Sequence, residues 1–497
     1  MKSKKTQRST NPKANSDKSL SLILLIKKYL PLIICLIFFL AYSVLTVIRH
    51  NNYQSYGFDL GINDQVVWEY SRFKPPITSI DHVPFIPKTF VHIEAVYALI
   101  SPFYWIWNDP RMLLILEAGF VCFSGLAIYL LTKHYKIHPW IRFSLLISYL
   151  MFYGVQNALW FDVHSATFAA SFVAWFLYFL VTNKNKWAIV FFILAITAKE
   201  NVAGITFLIC AVHFIATKNK SAIYFGIVSL IYLGLIFGIY FPHLVGGYRF
   251  ENSGGLLSNF DPKLMVDTPE KRDVYLYSFL SYGFLPLLSP LYLIPILGNL
   301  ASYFVLGSNV STAQGLFLQY RVGLVPLMSW ATIASICRFK WLNNHYLAVY
   351  LICSAMLVQY LLHLPLSYLS KKIFWTQPQA AKDINKLLPY IPDNSSLVSQ
   401  NNITPHVSHR PNILTLWPTT KDFKDNSICD QKTCDWFRWA DDPEYLIIDT
   451  SKDWDTRHLL TNRDEYIKGL GNLEKAKIIK KYKQAGNAVL YKVMHSP

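Results

Sequence analysis

Charge is what this sequence has least of. Only 15% of its 497 residues are Asp, Glu, Lys or Arg, and 53% are hydrophobic, whereas an average soluble chain carries about 25% charged residues. That shortfall, with 16% aromatics, excludes an ordinary soluble enzyme and points to a polytopic membrane protein. Acid is scarcer than base. Thirty Asp and Glu face 47 Lys and Arg, the formal net charge is +17, and no acidic residue precedes Asp17. Such a balance first suggests a nucleic-acid partner. Here the basic residues sit in short clusters between apolar runs, the pattern that orients helices in membranes, so no nucleic-acid partner is expected. Catalytic signatures are also missing: no Walker loop, no GxGxxG after a strand, no HExxH and no GxSxG. No internal repeat is visible.

The basic start of the chain has no small-residue cleavage site. The apolar run after Lys28 continues to about Val47, longer than the ~7–15 residues of a signal core. Residues 1–28 therefore read as a disordered basic cytoplasmic leader before an uncleaved anchor. Cysteine is sparse too. Of seven, Cys35, Cys122, Cys210, Cys337 and Cys353 fall in or at the end of apolar segments and read as packing residues. Cys429 and Cys434 lie in the polar C-terminal part. They suit a local disulfide if that part is extracytoplasmic, and without a second pair they make a weak zinc site.

What is abundant is apolar runs, mostly of roughly 17–25 residues and so long enough to span a bilayer, with 187–198 short. The runs 29–48, 112–131, 141–158, 166–181, 187–198, 202–216, 223–241, a Pro-broken pair within 274–306, 320–337 and 345–366 make about eleven spans. With the N-terminus inside, the basic loops at Lys133–Arg142, Lys184–Lys186, Lys218–Lys220 and Arg338–Lys340 all fall in the cytoplasm. The short run after Glu94, ending in Tyr104, Trp105 and Trp107, reads as a juxtamembrane helix at the outer surface. The expected organisation is thus an all-α polytopic membrane domain over 29–368, with a first extracytoplasmic loop at 49–110, and a small extracytoplasmic α/β domain over 369–497. In that last part YLIID at 445–449 and residues 488–493 read as strands, the second following a Lys-rich helical stretch.

On this topology four polar groups converge on the outer face: Asp59/Asp64, His92/Glu94, Asp162/His164 and Lys199/Glu200. Ionisable residues near membrane depth are expensive and default to functional hypotheses. Asp59 reads either as a general base that deprotonates an acceptor hydroxyl or as a turn cap beside Gly61. Asp64 reads as a second carboxylate, a metal ligand or a helix cap. His92 and Glu94, two apart, make a poor paired metal site. They suit separate substrate contacts or an interfacial pair. Asp162 and His164 suit proton or cation chemistry, or a polar turn. Lys199 suits a phosphate with Glu200 orienting it, or the two form a neutralised pair. Tyr320 and Arg321 open a span where Arg suits bidentate phosphate binding or snorkelling. Asn401, Asn402, His406, His409 and Arg410 concentrate in one loop that could hold a ligand. The sequence requires no cofactor and leaves room for a divalent cation.

The strings YGFDLGINDQVVWE, VHIEAVYALISPFY, FDVHSATFAASFVAWFLYFL, AKENVAG, GFLPLLSPLYLIPILGNL and QNNITPHVSHRPNILTLWP, in that order from Tyr56 to the C-terminal part, resemble a membrane family known as domain of unknown function 2079. A histidine–tyrosine pair expected before 320–337 is Gln319-Tyr320 here. The family layout resembles the GT-C glycosyltransferase superfamily, whose members place an acidic residue in the first extracytoplasmic loop, use sugars on polyprenyl phosphate or pyrophosphate and are typically inverting. The resemblance puts Asp59 at the first-loop acidic position and Glu94 and Asp162 at later acidic positions. It implies a glycosyltransferase with Asp59 as base, a polyprenyl-phosphate-linked sugar donor and an envelope glycan, lipid or protein acceptor. In that reading Lys199 and Arg321 hold donor phosphate. A transporter or flippase, or a non-catalytic envelope scaffold, is the alternative; fold analogy alone does not choose between them.

Overall fold

The computed structural model describes residues 12–80, 86–246, 261–305, 311–416, 443–451 and 463–494. Cys429 and Cys434 lie outside the described residues. Most of the chain is helical, as expected where backbone groups in an apolar medium must be satisfied within their own segment. In order, the helices are α1 (Pro12–Asn51), α2 (Ile62–Ser71), α3 (Val96–Ile100), α4 (Arg111–His134), α5 (Pro139–Met151), α6 (Tyr153–Phe161), α7 (Ser165–Val181), α8 (Asn185–Ala198), α9 (Val202–Thr217), α10 (Lys220–Leu235), α11 (Pro269–Leu280), α12 (Pro290–Phe304), α13 (Leu324–Arg338), α14 (His345–Leu361), α15 (Gln379–Leu387) and α16 (Arg463–Lys475). Because α1 begins at Pro12, the backbone is helical through much of the leader that the sequence reads as disordered.

Among the described residues three helices are long and apolar enough to cross a membrane: Lys28–Asn51, Arg111–His134 and Lys220–Val245. A fourth span results if Thr312–Arg321 and Leu324–Arg338, bent by 78°, count as one. The other apolar helices are shorter, for example 14 residues in α8 and 16 in α9. At 1.5 Å per residue they reach only about 20–25 Å against a hydrocarbon core of about 30 Å. Among the described residues three or four full-length spans are found where about eleven are expected, because polar breaks cut the apolar runs. The run at 141–158 is two helices, split at Phe152, whose ψ of 134° is extended. Lys199 is extended between α8 and α9. Helix α4 is central and packs against α1, α5 and α7. Helix α3 is five residues and continues as a 3-10 turn, Ser101–Trp105, with Trp105 and Ile106 exposed.

The strands are β1 (Ile77–Thr78), β2 (Ile86–Pro87), β3 (Leu397–Ser399), β4 (Ile413–Thr415), β5 (Tyr445–Asp449), β6 (Ile479–Ala485) and β7 (Ala488–Val493). The last five form one sheet in the order β4-β3-β5-β7-β6. Pairs β3–β4 and β3–β5 are parallel, and β5–β7 and β6–β7 are antiparallel. The Lys-rich stretch that reads as helical is divided: α16 ends at Lys475, and Lys480, Lys481 and Lys483 fall in the edge strand β6. This sheet does not stand apart. Tyr53, Ile62 and Ile80 of the first loop share a buried apolar cluster with Ile384, Leu397 and Leu490. Each such aliphatic side chain contributes about 1.5–3 kcal/mol on full burial, so the loop and the sheet domain fold against each other.

Candidate functional site

The first loop begins with a single π-helical turn, Gly57–Gly61, that runs directly into α2. It exists because the C-terminal domain reaches up to it. Gly57 N donates to the Asn401 carbonyl at 2.7 Å, and Phe58 N donates to Asn401 Oδ1 at 3.1 Å. A Cβ on Gly57 would stand 2.8 Å from Thr404 Cβ, so only glycine allows this approach. The turn presents Asp59 with its side chain a quarter exposed.

Opposite Asp59 lies the break between α6 and α7. Asp162 ends α6 at φ 150°, ψ −176°, a conformation that is almost confined to glycine. Its surroundings over-determine it. Arg49 Nη1 meets Asp162 Oδ1 at 2.5 Å, Tyr56 N donates to Oδ2 at 3.0 Å, and Asn63 Nδ2 donates to the next carbonyl, Val163 O, at 2.8 Å. Burial raises the Asp162 carboxyl to about 6, with Arg49 pulling the other way, so it is ionised at neutral pH. The strained corner aims His164. Its backbone N–H donates to Glu117 Oε1 at 2.9 Å, its Nδ1 lies 3.2 Å from the Asp162 carbonyl, and its Nε2 lies 3.2 Å from Asp59 Oδ1. A carbonyl can only accept, so Nδ1 carries a proton. For Nε2 to bond Asp59 as well, a second proton must lie on Nε2 or on the carboxylate. Nε2 thus stands where it can meet a proton that Asp59 takes up.

Ser165, the next residue, turns the other way and donates to Glu94 Oε1 at 2.5 Å. Glu94 is flanked by two ammonium groups, Lys88 Nζ at 3.9 Å and Lys199 Nζ at 4.0 Å. Burial opposes its ionisation, but Lys88, His92, Lys199 and the Ser165 hydroxyl outweigh it and hold the carboxyl below its usual value. His92 Nδ1 lies 2.7 Å from Glu200 Oε1. Burial again raises Glu200, and His92 and Lys199 bring it down to about 2. Lys199 is pushed down by burial and raised more by Glu94 and Glu200, so it stays charged. Tyr320 is within electrostatic reach of both Asp59 and Lys199.

Eight of the ten candidates therefore gather in two adjoining clusters, Asp59, Asp162 and His164 in one and Glu94, Lys199, His92 and Glu200 in the other, with Tyr320 in electrostatic reach of both. Two are elsewhere. Asp64 is fully buried on α2, where Tyr104 Oη donates to Oδ1, Ser408 Oγ donates to Oδ2 at 2.5 Å, and His409 Nε2 lies 2.9 Å away. It clamps the C-terminal domain to the first loop. Arg321 is also buried. Its guanidinium donates to the Ala313 and Gly315 carbonyls and lies 5.0 Å from the rings of Tyr303 and Phe304, so these contacts tie it to the 311–316 segment. The Asn401–Arg410 loop is likewise committed to docking: the His406 ring stacks on His50 and Tyr53, and Arg410 bonds the carbonyls of Val407, Pro392 and Ser395.

Arg49, Lys88 and Glu117 escape the sequence reading. Glu117 had a signal, since it is the only acidic residue in the apolar run 112–131, and a lone intramembrane carboxylate is a functional hypothesis by default. Arg49 and Lys88 had none: a basic residue at a span end, such as Arg49, usually snorkels, and a lysine in a polar loop, such as Lys88, is usually a solvated charge. Among the described residues no three His, Cys, Asp or Glu side chains are grouped as a metal site. A separate pocket of about 300 Å³, lined by Tyr135, Ser289, Tyr292, Trp330, Cys337 and Arg338, is built from other elements.

No curated protein matches the chain significantly in sequence. Its fold is similar to that of ArnT from Cupriavidus metallidurans in the apo state, with a TM-score of 0.52 and 10% identity over 92% of this chain and 97% of that one. At that identity the likeness speaks for fold alone. Residues 49–468 match the family described as "Predicted membrane protein", domain of unknown function 2079. The chain belongs to that family.

Proposed function

We propose that this is an integral-membrane glycosyltransferase of GT-C type. It moves a sugar from a polyprenyl-phosphate donor to an envelope glycan, lipid or protein acceptor at the extracytoplasmic face, with the shorter helices completing about eleven crossings. Asp59 is the general base. It takes the proton of the acceptor hydroxyl as that oxygen bonds the anomeric carbon, and the bond from that carbon to the donor phosphate breaks with its electron pair going to phosphate. Lys88 and Lys199 neutralise the charge that develops on the leaving phosphate. Glu94, Glu200 and His92 hold those lysines in place. Asp162, held by Arg49, aims His164 at Asp59. Tyr320 closes the space between base and phosphate. Arg321 supports the backbone behind Tyr320 and does not itself meet phosphate.

One observation carries this reading. Two consecutive residues, His164 and Ser165, bind Asp59 on one side and Glu94, between its two lysines, on the other. A candidate base and a candidate phosphate seat are thus built on one corner. The test is release of polyprenyl phosphate from polyprenyl-phosphate sugars by the purified protein in nanodiscs. Asp59→Asn should slow transfer by about 10²–10⁴-fold, the usual worth of a general base, and leave donor binding intact. A variant that transfers sugar at the native rate removes Asp59 from the mechanism.

A further inference from the structure

The sheet domain carries a second feature, built from residues other than those around Asp59. From Lys475 to Val493 the sequence holds six lysines and no Asp or Glu. Strand register sets three exposed or half-buried residues in one row: Tyr445 of β5 pairs with Lys492 of β7, which pairs with Lys480 of β6. Paired residues share a face, and like charges placed directly opposite are destabilising. Among the described residues no carboxylate forms an ion pair with these lysines to relieve it.

Tyrosines interleave the row. Lys492 Nζ stands 4.6 Å from the centroid of the Tyr482 ring and 5.8 Å from that of Tyr445. Lys483 Nζ stands 4.7 Å from the Tyr390 ring and 5.9 Å from Tyr482. Tyr390 and Tyr482 remain 47% and 41% exposed. Five side chains thus form one continuous basic and aromatic strip. The opposite edge of the sheet is already occupied: Ser79 of the first loop bonds both the N–H and the carbonyl of Ile413 on β4. Among the described residues no strand pairs with the outer edge of β6.

Lysines on an edge strand also guard against edge-to-edge pairing. That accounts for Lys480, Lys481 and Lys483. It does not account for Lys492, which lies on the interior strand β7, or for two large exposed rings.

We propose that this strip binds a polyanionic glycan. Its acidic groups pair with Lys480, Lys483 and Lys492, and the apolar face of a sugar ring lies on Tyr482 and Tyr390. The site stands independently of what Asp59 does. The test uses the full chain in nanodiscs of zwitterionic lipid, with polygalacturonate, poly-glutamate of matched charge and neutral dextran as probes.

The expected result is tight, salt-sensitive binding of polygalacturonate, weaker binding of poly-glutamate and none of dextran. Replacing Lys480, Lys483 and Lys492 with Gln should weaken polygalacturonate binding by about tenfold or more, as loss of several polyanion contacts does. It should leave thermal stability unchanged or higher, because the Lys480–Lys492 repulsion is gone. Tyr482→Ala, with every lysine kept, should abolish the preference for polygalacturonate over poly-glutamate. A control with Lys133, Lys136 and Lys340 changed to Gln has the same net charge and should bind like the parent. Equal losses in the two triple variants would reduce the effect to net charge and overturn the site. A preference that survives Tyr482→Ala, or binding to anionic vesicles with none to polygalacturonate, would also overturn it.

Discussion

Asp162 shows how one residue can be forced into an unfavourable state and made useful by it. Its backbone conformation costs on the order of 1–3 kcal/mol, and its carboxylate is fully buried. Arg49 and the Tyr56 N–H stabilise both features, and the outcome is a His164 ring held against Asp59. The charge on Asp162 is what keeps the corner closed. As pH falls through about 6 the carboxyl takes up a proton, the ion pair with Arg49 is lost, and transfer should fall on an acid limb near that pH. Removing the cation favours the neutral acid, so Arg49→Gln should move the limb to higher pH by about one unit or more, the usual effect of an opposite charge at contact distance. A pH–rate profile checks this. An acid limb that stays in place in the variant would mean that another group sets it.

At the scale of elements, the π-turn at Gly57–Gly61 is held from outside. Asn401 and Thr404 of the C-terminal domain shape the segment that carries Asp59. Gly57→Ala should push the turn off Thr404 and cost about 1–3 kcal/mol, the usual penalty of overpacking, with a loss of transfer activity. Adding Thr404→Gly should restore much of both, measured by thermal unfolding and by turnover. A double variant no better than Gly57→Ala would place the damage elsewhere.

The same element explains what the sequence made legible. Asp59, Asp162, His164 and Lys199 could be found because each interrupts an apolar run, and a charge there has to be explained. The helices α7, α8, α9 and β7 follow the apolar pattern almost to the residue for the same reason. The split of 141–158 at Phe152 was hidden, because an extended phenylalanine leaves no mark on hydropathy. Asp64 and Asp59 look alike in sequence, five residues apart. Their roles separate only when the C-terminal domain arrives more than three hundred residues later with Ser408 and His409. Strand β6 was masked by its lysines, which read as helical until a partner strand is known.

Across the whole molecule, the sheet domain and the first loop act as one body. Asp64 is the polar centre of their contact, with Tyr104, Ser408 and His409 around it. Asp64→Ala would strand these groups, each at about 1–3 kcal/mol for a buried polar atom without its partner. Limited proteolysis should then cut the connection at 370–379 faster than in the parent; unchanged cleavage would show that the apolar cluster alone holds the domain. The central claim is that Asp59 and the lysine-flanked Glu94 are the two ends of one donor site. The most direct measurement is a structure with polyprenyl phosphate bound. The account predicts phosphate oxygens about 2.7–2.9 Å from Lys88 and Lys199 Nζ, with the open side of the phosphate facing Asp59. Phosphate seated instead in the pocket beside Arg338, with Lys88 and Lys199 still paired only to Glu94, would contradict it.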